Sequence, residues 1–97
     1  MFPRSGQHHL VCCLGEIDTA TAPQLTAVVN DLLDQCRHVT LDLSGVDYLG
    51  AAGFTALLTL RHEATQRGLF LRLGRHRSRP VHRALAASGV LEEFDRG

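Results

Sequence analysis

The chain has 97 residues, 44% apolar and 21% charged, with no net formal charge. That describes one domain of ordinary globular composition with a thin core, and no apolar run reaches the roughly 18 residues of a membrane-spanning helix. All ten basic residues are Arg; residues 1–50 carry two of them against six carboxylates, residues 51–97 eight against four. This asymmetry is read as two solvated faces, not as a nucleic-acid footprint.

The opening MFPRSGQHHL lacks the apolar stretch of a secretory signal, so the expected location is cytoplasmic. His9 to Leu14 is an apolar, β-branched run ending at Gly15 and predicts a first strand. Thr21-Ala22-Pro23-Gln24 has capping-box spacing, and Pro23 suits a first helical turn. Leu25, Val28, Val29, Leu32, Leu33 and Cys36 then recur at helical spacing, which predicts a helix over 22–36 with Leu32 mid-stripe. Val39, Leu41 and Leu43 alternate with Thr40 and Asp42 as in a strand with one face inward, punctuated by Ser44-Gly45 and Gly50. A second helix is expected over 52–67, with Gly53, Ala56, Leu57, Leu60 and Ala64 inward and Gly68 as its stop. Phe70 to Leu73 reads as a short strand. Ser78 and Pro80 start a third helix with Val81, Ala84 and Leu85 inward and Gly89 closing it, and Leu91 to Phe94 packs a tail back. The order strand–helix, three times over, predicts an α/β fold with helices stacked on a sheet.

Catalytic and metal motifs are absent. The glycines do not form a dinucleotide fingerprint, no G-K-[ST] marks a phosphate loop, and Ser44 lacks the elbow of a hydrolase nucleophile. The six His are scattered without zinc spacing, so no metal and no cofactor are expected. Cys12 and Cys13 alternate on a strand and Cys36 falls on the helix stripe; all three are expected buried, reduced and inert. Asp18, Asp42 and Asp47 sit near strand ends and read as turn caps, so no enzyme activity is expected. The run from Arg72 to Arg83 is densely basic without an aromatic for base stacking, and reads as a solvated loop and helix face.

Gly15-Glu16-Ile17-Asp18-Thr19-Ala20-Thr21-Ala22-Pro23, followed by Leu41-Asp42-Leu43-Ser44-Gly45-Val46, resembles the STAS domain family. That family includes bacterial anti-sigma factor antagonists and the tails of sulfate transporters. The resemblance runs from Leu10 to Phe94 and includes Val81-His82-Arg83-Ala84-Leu85 with Ser88-Gly89-Val90. It implies a single domain over 1–97, built as a small mixed β-sheet with helices packed largely on one face. It also implies a cytoplasmic antagonist that binds an anti-sigma factor of serine-kinase fold. In such circuits phosphorylation of a Ser at the start of the helix after D-L-S-G-V breaks the complex. The docking residues the resemblance implies here are Asp18, Ser44, Gly45, Gly50, Ala51, Ala52, Gly53, Phe54, Thr55 and Leu58.

One departure stands out. Where the family pattern is Asp-Ser-Ser-Gly, this chain has Gly50-Ala51-Ala52-Gly53. Ala52 lies on the phosphoacceptor position and has no hydroxyl, and Gly50 replaces the capping Asp. The small residues also have a backbone reading, in which Gly45 and Gly50 supply positive φ and Gly53 lets helix and sheet approach closely. Two other functions remain open: a STAS subunit or sensor of a transporter or larger signalling complex, and a nucleotide- or anion-binding sensor using the Arg72–Arg83 run. No membrane insertion is expected, and the oligomeric state is not set by the sequence.

Overall fold

Three strands alternate with helices, and that alternation dictates the sheet. The computed structural model describes residues 8–95, so the N-terminal stretch read above for a signal lies mostly outside the described residues. The elements are β1 (His8–Ile17), α1 (Ala22–Asp34), β2 (His38–Leu49), α2 (Ala51–Gln66), β3 (Leu71–Leu73), α3 (Arg79–Ser88) and α4 (Val90–Asp95). Each strand-to-strand connection carries a helix, as a parallel crossover requires. The order is accordingly β1-β2-β3 with both pairings parallel. The expected α/β fold is present, while the described strands form a parallel sheet where a mixed one was expected. No helix among the described residues is long and apolar enough to cross a membrane.

β1 and β2 run further than the sequence suggested. Gly15 and Ser44-Gly45 do not end them; they sit where the ladder is irregular. Register shifts fall between Cys12 and Leu14 and between Gly15 and Glu16, each adding a residue on β2. An extra residue reverses the inward–outward phase of a strand. The buried positions of β2 therefore step from Val39, Leu41 and Leu43 to Val46 and then Leu49, leaving Asp47 exposed.

One hydrophobic cluster joins the elements, with Val29, Leu33, Leu41, Leu57, Leu60, Val81 and Leu85 at its centre. The opposite sheet face is open, and there Leu10 is 60% and Leu14 80% exposed. α2 buries Gly53, Ala56, Leu57, Leu60 and Ala64, as its spacing predicted. In α3, Val81 and Leu85 are buried and Ala84 half-buried; Ser78 caps its start and Gly89, at φ 82°, closes it.

α1 corrects the sequence reading. Its buried stripe is Ala22, Leu25, Val29 and Leu33, whereas Leu32 is only half-buried and Val28 is 50% exposed. Cys36 lies beyond the helix at φ 60°. The Cys36 N–H donates to the Leu33 carbonyl at 2.9 Å and the Arg37 N–H to the Leu32 carbonyl at 3.1 Å. These are the two bonds of a Schellman closure, with Cys in the place usually held by Gly.

The cysteines are therefore not all buried. Cys12 and Cys36 are exposed; Cys13 is half-buried against the core. Burial first, then the neighbouring Cys12 and Asp42, push the Cys13 thiol up to about 11. At neutral pH it remains a thiol and a poor nucleophile.

Candidate functional site

The docking residues implied by the sequence gather only in part, and backbone pairing decides which. β1 and β2 end side by side, with Ile17 paired to Leu49. The Ile17 carbonyl accepts the Gly50 N–H at 3.0 Å. That bond sets the start of α2 against the turn that begins at Asp18. Gly50 is the N-cap of α2, and its carbonyl accepts from the N–H groups of Gly53 (2.9 Å) and Phe54 (3.1 Å).

The Asp18 turn holds itself. Asp18 Oδ1 accepts from the N–H groups of Ala20 (3.0 Å) and Thr21 (3.1 Å), and Thr21 Oγ1 accepts from the Asp18 N–H (2.9 Å). This is a reciprocal capping box over Asp18 to Thr21, one turn earlier than the Thr21–Gln24 box the spacing suggested. Thr21 makes no side-chain cap to α1 because its hydroxyl is turned back, 2.7 Å from the Glu16 carbonyl.

The Thr21 N–H, then its hydroxyl, hold the Asp18 carboxyl below the usual carboxylate range. A lowered folded-state pKa contributes stability above the unfolded value, near 3.9, and loses it as pH falls through the folded value. Asp18→Ala is accordingly expected to lower the urea midpoint at pH 7. The gap from wild type narrows as the titration is repeated toward acid pH.

Gly45 and Gly53 serve close approach, not positive φ, and Gly50 needs neither. Among the described residues positive φ at Gly occurs at Gly15, Gly68 and Gly89, so the expectation for Gly45 and Gly50 is corrected. Gly50 lies at φ −90°, open to any residue. A Cβ on Gly53 would come within 2.5 Å of Leu49 Cδ1 and 3.2 Å of the Ile17 carbonyl, which is the close helix–sheet contact expected there. A Cβ on Gly45 would run into the Leu14 side chain.

Over its first ten residues, Ala51 to Leu60, α2 carries no charged side chain. Ala51, Thr55, Leu58 and Thr59 are nevertheless exposed, while Ala52 and Phe54 pack half-buried against the core. A solvated helix face is normally charged or strongly polar. Beside this face an open groove of about 480 Å³ separates α1 from α2, with Ala52 and Thr55 on one wall. Thr19, Pro23, Thr26 and Ala27 form the other wall. Sequence reasoning missed these four; the only signal was a run of small and hydroxyl residues before α1 and along the flank of its buried stripe.

Ser44 and Gly45 stand apart. Gly45 pairs with Leu14, five residues before Gly50, roughly 16 Å along the strand. Asp42 pairs with Cys12, so it does not meet Asp18. Its carboxylate accepts from the Ser44 N–H at 2.9 Å inside β2, at the first irregularity of the ladder and not at the turn expected there. Among the described residues no three His, Cys, Asp or Glu side chains gather to hold a metal ion.

The family model of the STAS domain matches residues 3–96. The chain belongs to the STAS domain family. STAS domains are generally non-enzymatic binding domains. An anti-sigma factor antagonist from Mycobacterium paratuberculosis is 25% identical in sequence, with a TM-score of 0.77 over 90% of this STAS chain and 74% of its own. A sulfate transporter family protein from Wolinella succinogenes superimposes at TM-score 0.70 and 20% identity, over 97% of this chain and 75% of its own. The STAS domain of a SulP transporter from Vibrio cholerae gives 0.68 and 19%, over 97% and 71%. At those lower identities the two transporter structures show a shared fold. No curated protein matches the chain.

Proposed function

We propose that this STAS domain is an anti-sigma factor antagonist-like, non-enzymatic cytoplasmic protein that docks an anti-sigma factor or related serine-kinase-fold partner. Docking uses the start of α2, from Gly50 to Leu58, with Asp18 at its edge. The usual Ser switch is missing. The observation that carries this reading is the exposed, uncharged opening of α2 with no hydroxyl between Gly50 and Gly53. The likeness to a solved anti-sigma factor antagonist supports it.

The geometry also separates the proposed contacts. Ala51, Thr55 and Leu58 lie on one exposed face at i, i+4 and i+7. Ser44 and Gly45 are too distant to belong to the same small patch.

Ala52→Glu tests the proposal, because it places an unpaired carboxylate against a surface that must be desolvated. Binding of a kinase-fold anti-sigma protein recovered from extracts of the native cell, measured by calorimetry, is expected to weaken by at least about 30-fold. Position 52 is half-buried at a helix start, where an acidic residue suits the dipole, so the circular dichroism spectrum stays that of wild type. Unchanged affinity moves the interface away from α2. Recovery of a transporter subunit in place of an anti-sigma factor favours the transporter-associated reading.

A further inference from the structure

At the far end of α2, away from the proposed docking face, a cleft of about 320 Å³ runs along β3, the edge strand of the sheet among the described residues. Consecutive residues from Leu69 to Leu73 line it, so it meets the strand from both sheet faces. Its floor is apolar, from Leu71, Phe70 and Phe94, while three guanidiniums, those of Arg61, Arg72 and Arg77, border it. No described lining residue carries a carboxylate.

Each arginine is held, and among the described residues none of the three is paired with a carboxylate. Arg72 lies over the Phe70 ring at 4.1 Å, and Phe70 is itself stacked on His38 at 4.1 Å. Arg61 lies over Phe94 at 5.8 Å. Arg77 donates from Nε to the Gly74 carbonyl at 2.9 Å, its Nη1 lies 3.3 Å from His82 Nδ1, and its Nη2 is left to meet an anion. The ion pairs among the described residues involve a different arginine, Arg67, with Asp34 and Glu63. Arg61 also borders a neighbouring cleft that contains Glu92 and Glu93, so Arg72 and Arg77 are the stronger anchors.

A guanidinium stacked on a ring keeps its in-plane N–H groups free to bind a carboxylate or phosphate. An apolar floor beside such a head is the ordinary composition of a small-molecule site. We propose that this cleft binds a small organic anion: a carboxylate or phosphate monoester whose charged head meets Arg72 and Arg77 and whose apolar body lies on Phe70 and Phe94. The basic run that the docking function leaves unused thereby acquires a ligand class.

The test separates head from body with three probes: phenyl phosphate, inorganic phosphate and benzyl alcohol, each titrated into the ¹⁵N-labelled full chain. Phenyl phosphate is expected to give saturable amide shifts at residues 69–73 and 77, about tenfold or more tighter than either other probe. Arg72→Gln and Arg77→Gln are each expected to weaken it several-fold. Arg79→Gln, on the exposed start of α3 and outside the cleft, leaves it unchanged. Retained amide dispersion shows that each variant is folded, and if one cleft variant fails to fold the other is read in its place. Equal binding of inorganic phosphate would reduce the cleft to a basic patch. Shifts without saturation, shifts centred on residues 50–58, or full affinity in Arg72→Gln would overturn the proposal. None of these outcomes bears on docking at α2, which Ala52→Glu tests separately.

Discussion

Leu33→Ala is expected to lower the unfolding free energy by about 2–5 kcal/mol, the range for truncating a buried leucine without collapse of the cavity. Leu33 is 1% exposed and lies in the central cluster with Val29, Leu41 and Leu57. Against the roughly 5–15 kcal/mol that a small domain holds, that is a large share of its stability. Each kcal/mol corresponds to about 4–8 °C in melting temperature at this size. Leu32→Ala, from the half-buried neighbour, is expected to cost about half as much, since less apolar area returns to water. Urea denaturation of the two variants side by side checks the facing of α1. If Leu32→Ala is the more damaging, the helix is rotated so that Leu32, not Leu33, faces the core.

That pair also shows where sequence pattern stops deciding. The apolar positions read on α1, from Leu25 to Cys36, span more of the helix than one face can bury, so spacing alone could not choose Leu33 over Leu32. Contact with the sheet makes that choice. In α2 the inward set is narrower and includes Gly53, Ala56 and Ala64, small residues that fit only a close approach, and it was legible in full. Helix ends tell the same story. Gly68 announced its closure because glycine adopts positive φ without strain, whereas Cys36 closes α1 through the same pair of bonds with no glycine to signal it. The double shift in β2 was hidden because its cause is pairing with β1, a contact between residues some thirty positions apart. Around the candidate site, the opening of α2 and the nearby Asp18 were singled out by the family resemblance, and the structure sets them side by side through the Gly50–Ile17 bond. The α1 wall of the groove was not legible, since small residues that face a neighbouring helix look the same as small residues that face water.

The missing hydroxyl leads to the second large effect. Incubated with a partner-switching serine kinase and ATP, the wild-type chain is expected to take up no phosphate at position 52, where alanine offers no oxygen. Gly50→Asp combined with Ala52→Ser is expected to gain measurable uptake, followed by intact-mass spectrometry and fragment sequencing. The backbone admits both changes. Position 50 lies at φ −90°, and the nearest group to a new Cβ is the Tyr48 ring at 3.1 Å, which is 54% exposed and free to turn aside. An Asp there supplies the acceptor that a helix N-cap normally provides. The serine introduced by Ala52→Ser falls in the first turn, where backbone N–H groups and the helix dipole favour the phosphate once formed. Its charge of about −1.5 to −2 then lies on the uncharged face proposed above for docking, so under that proposal the phosphorylated double variant loses partner affinity while the unmodified one keeps it. Thr55 is exposed one turn further on and Ser44 lies well down β2, so both are accessible controls. Efficient phosphorylation of wild type at either would sink the idea of a permanently unmodified antagonist and put regulation at a displaced site. Failure of the double variant with a kinase that modifies a Ser-bearing STAS domain in the same assay would show that the start of α2 is not presented to such an enzyme at all. The docking face would then belong to a partner of another kind.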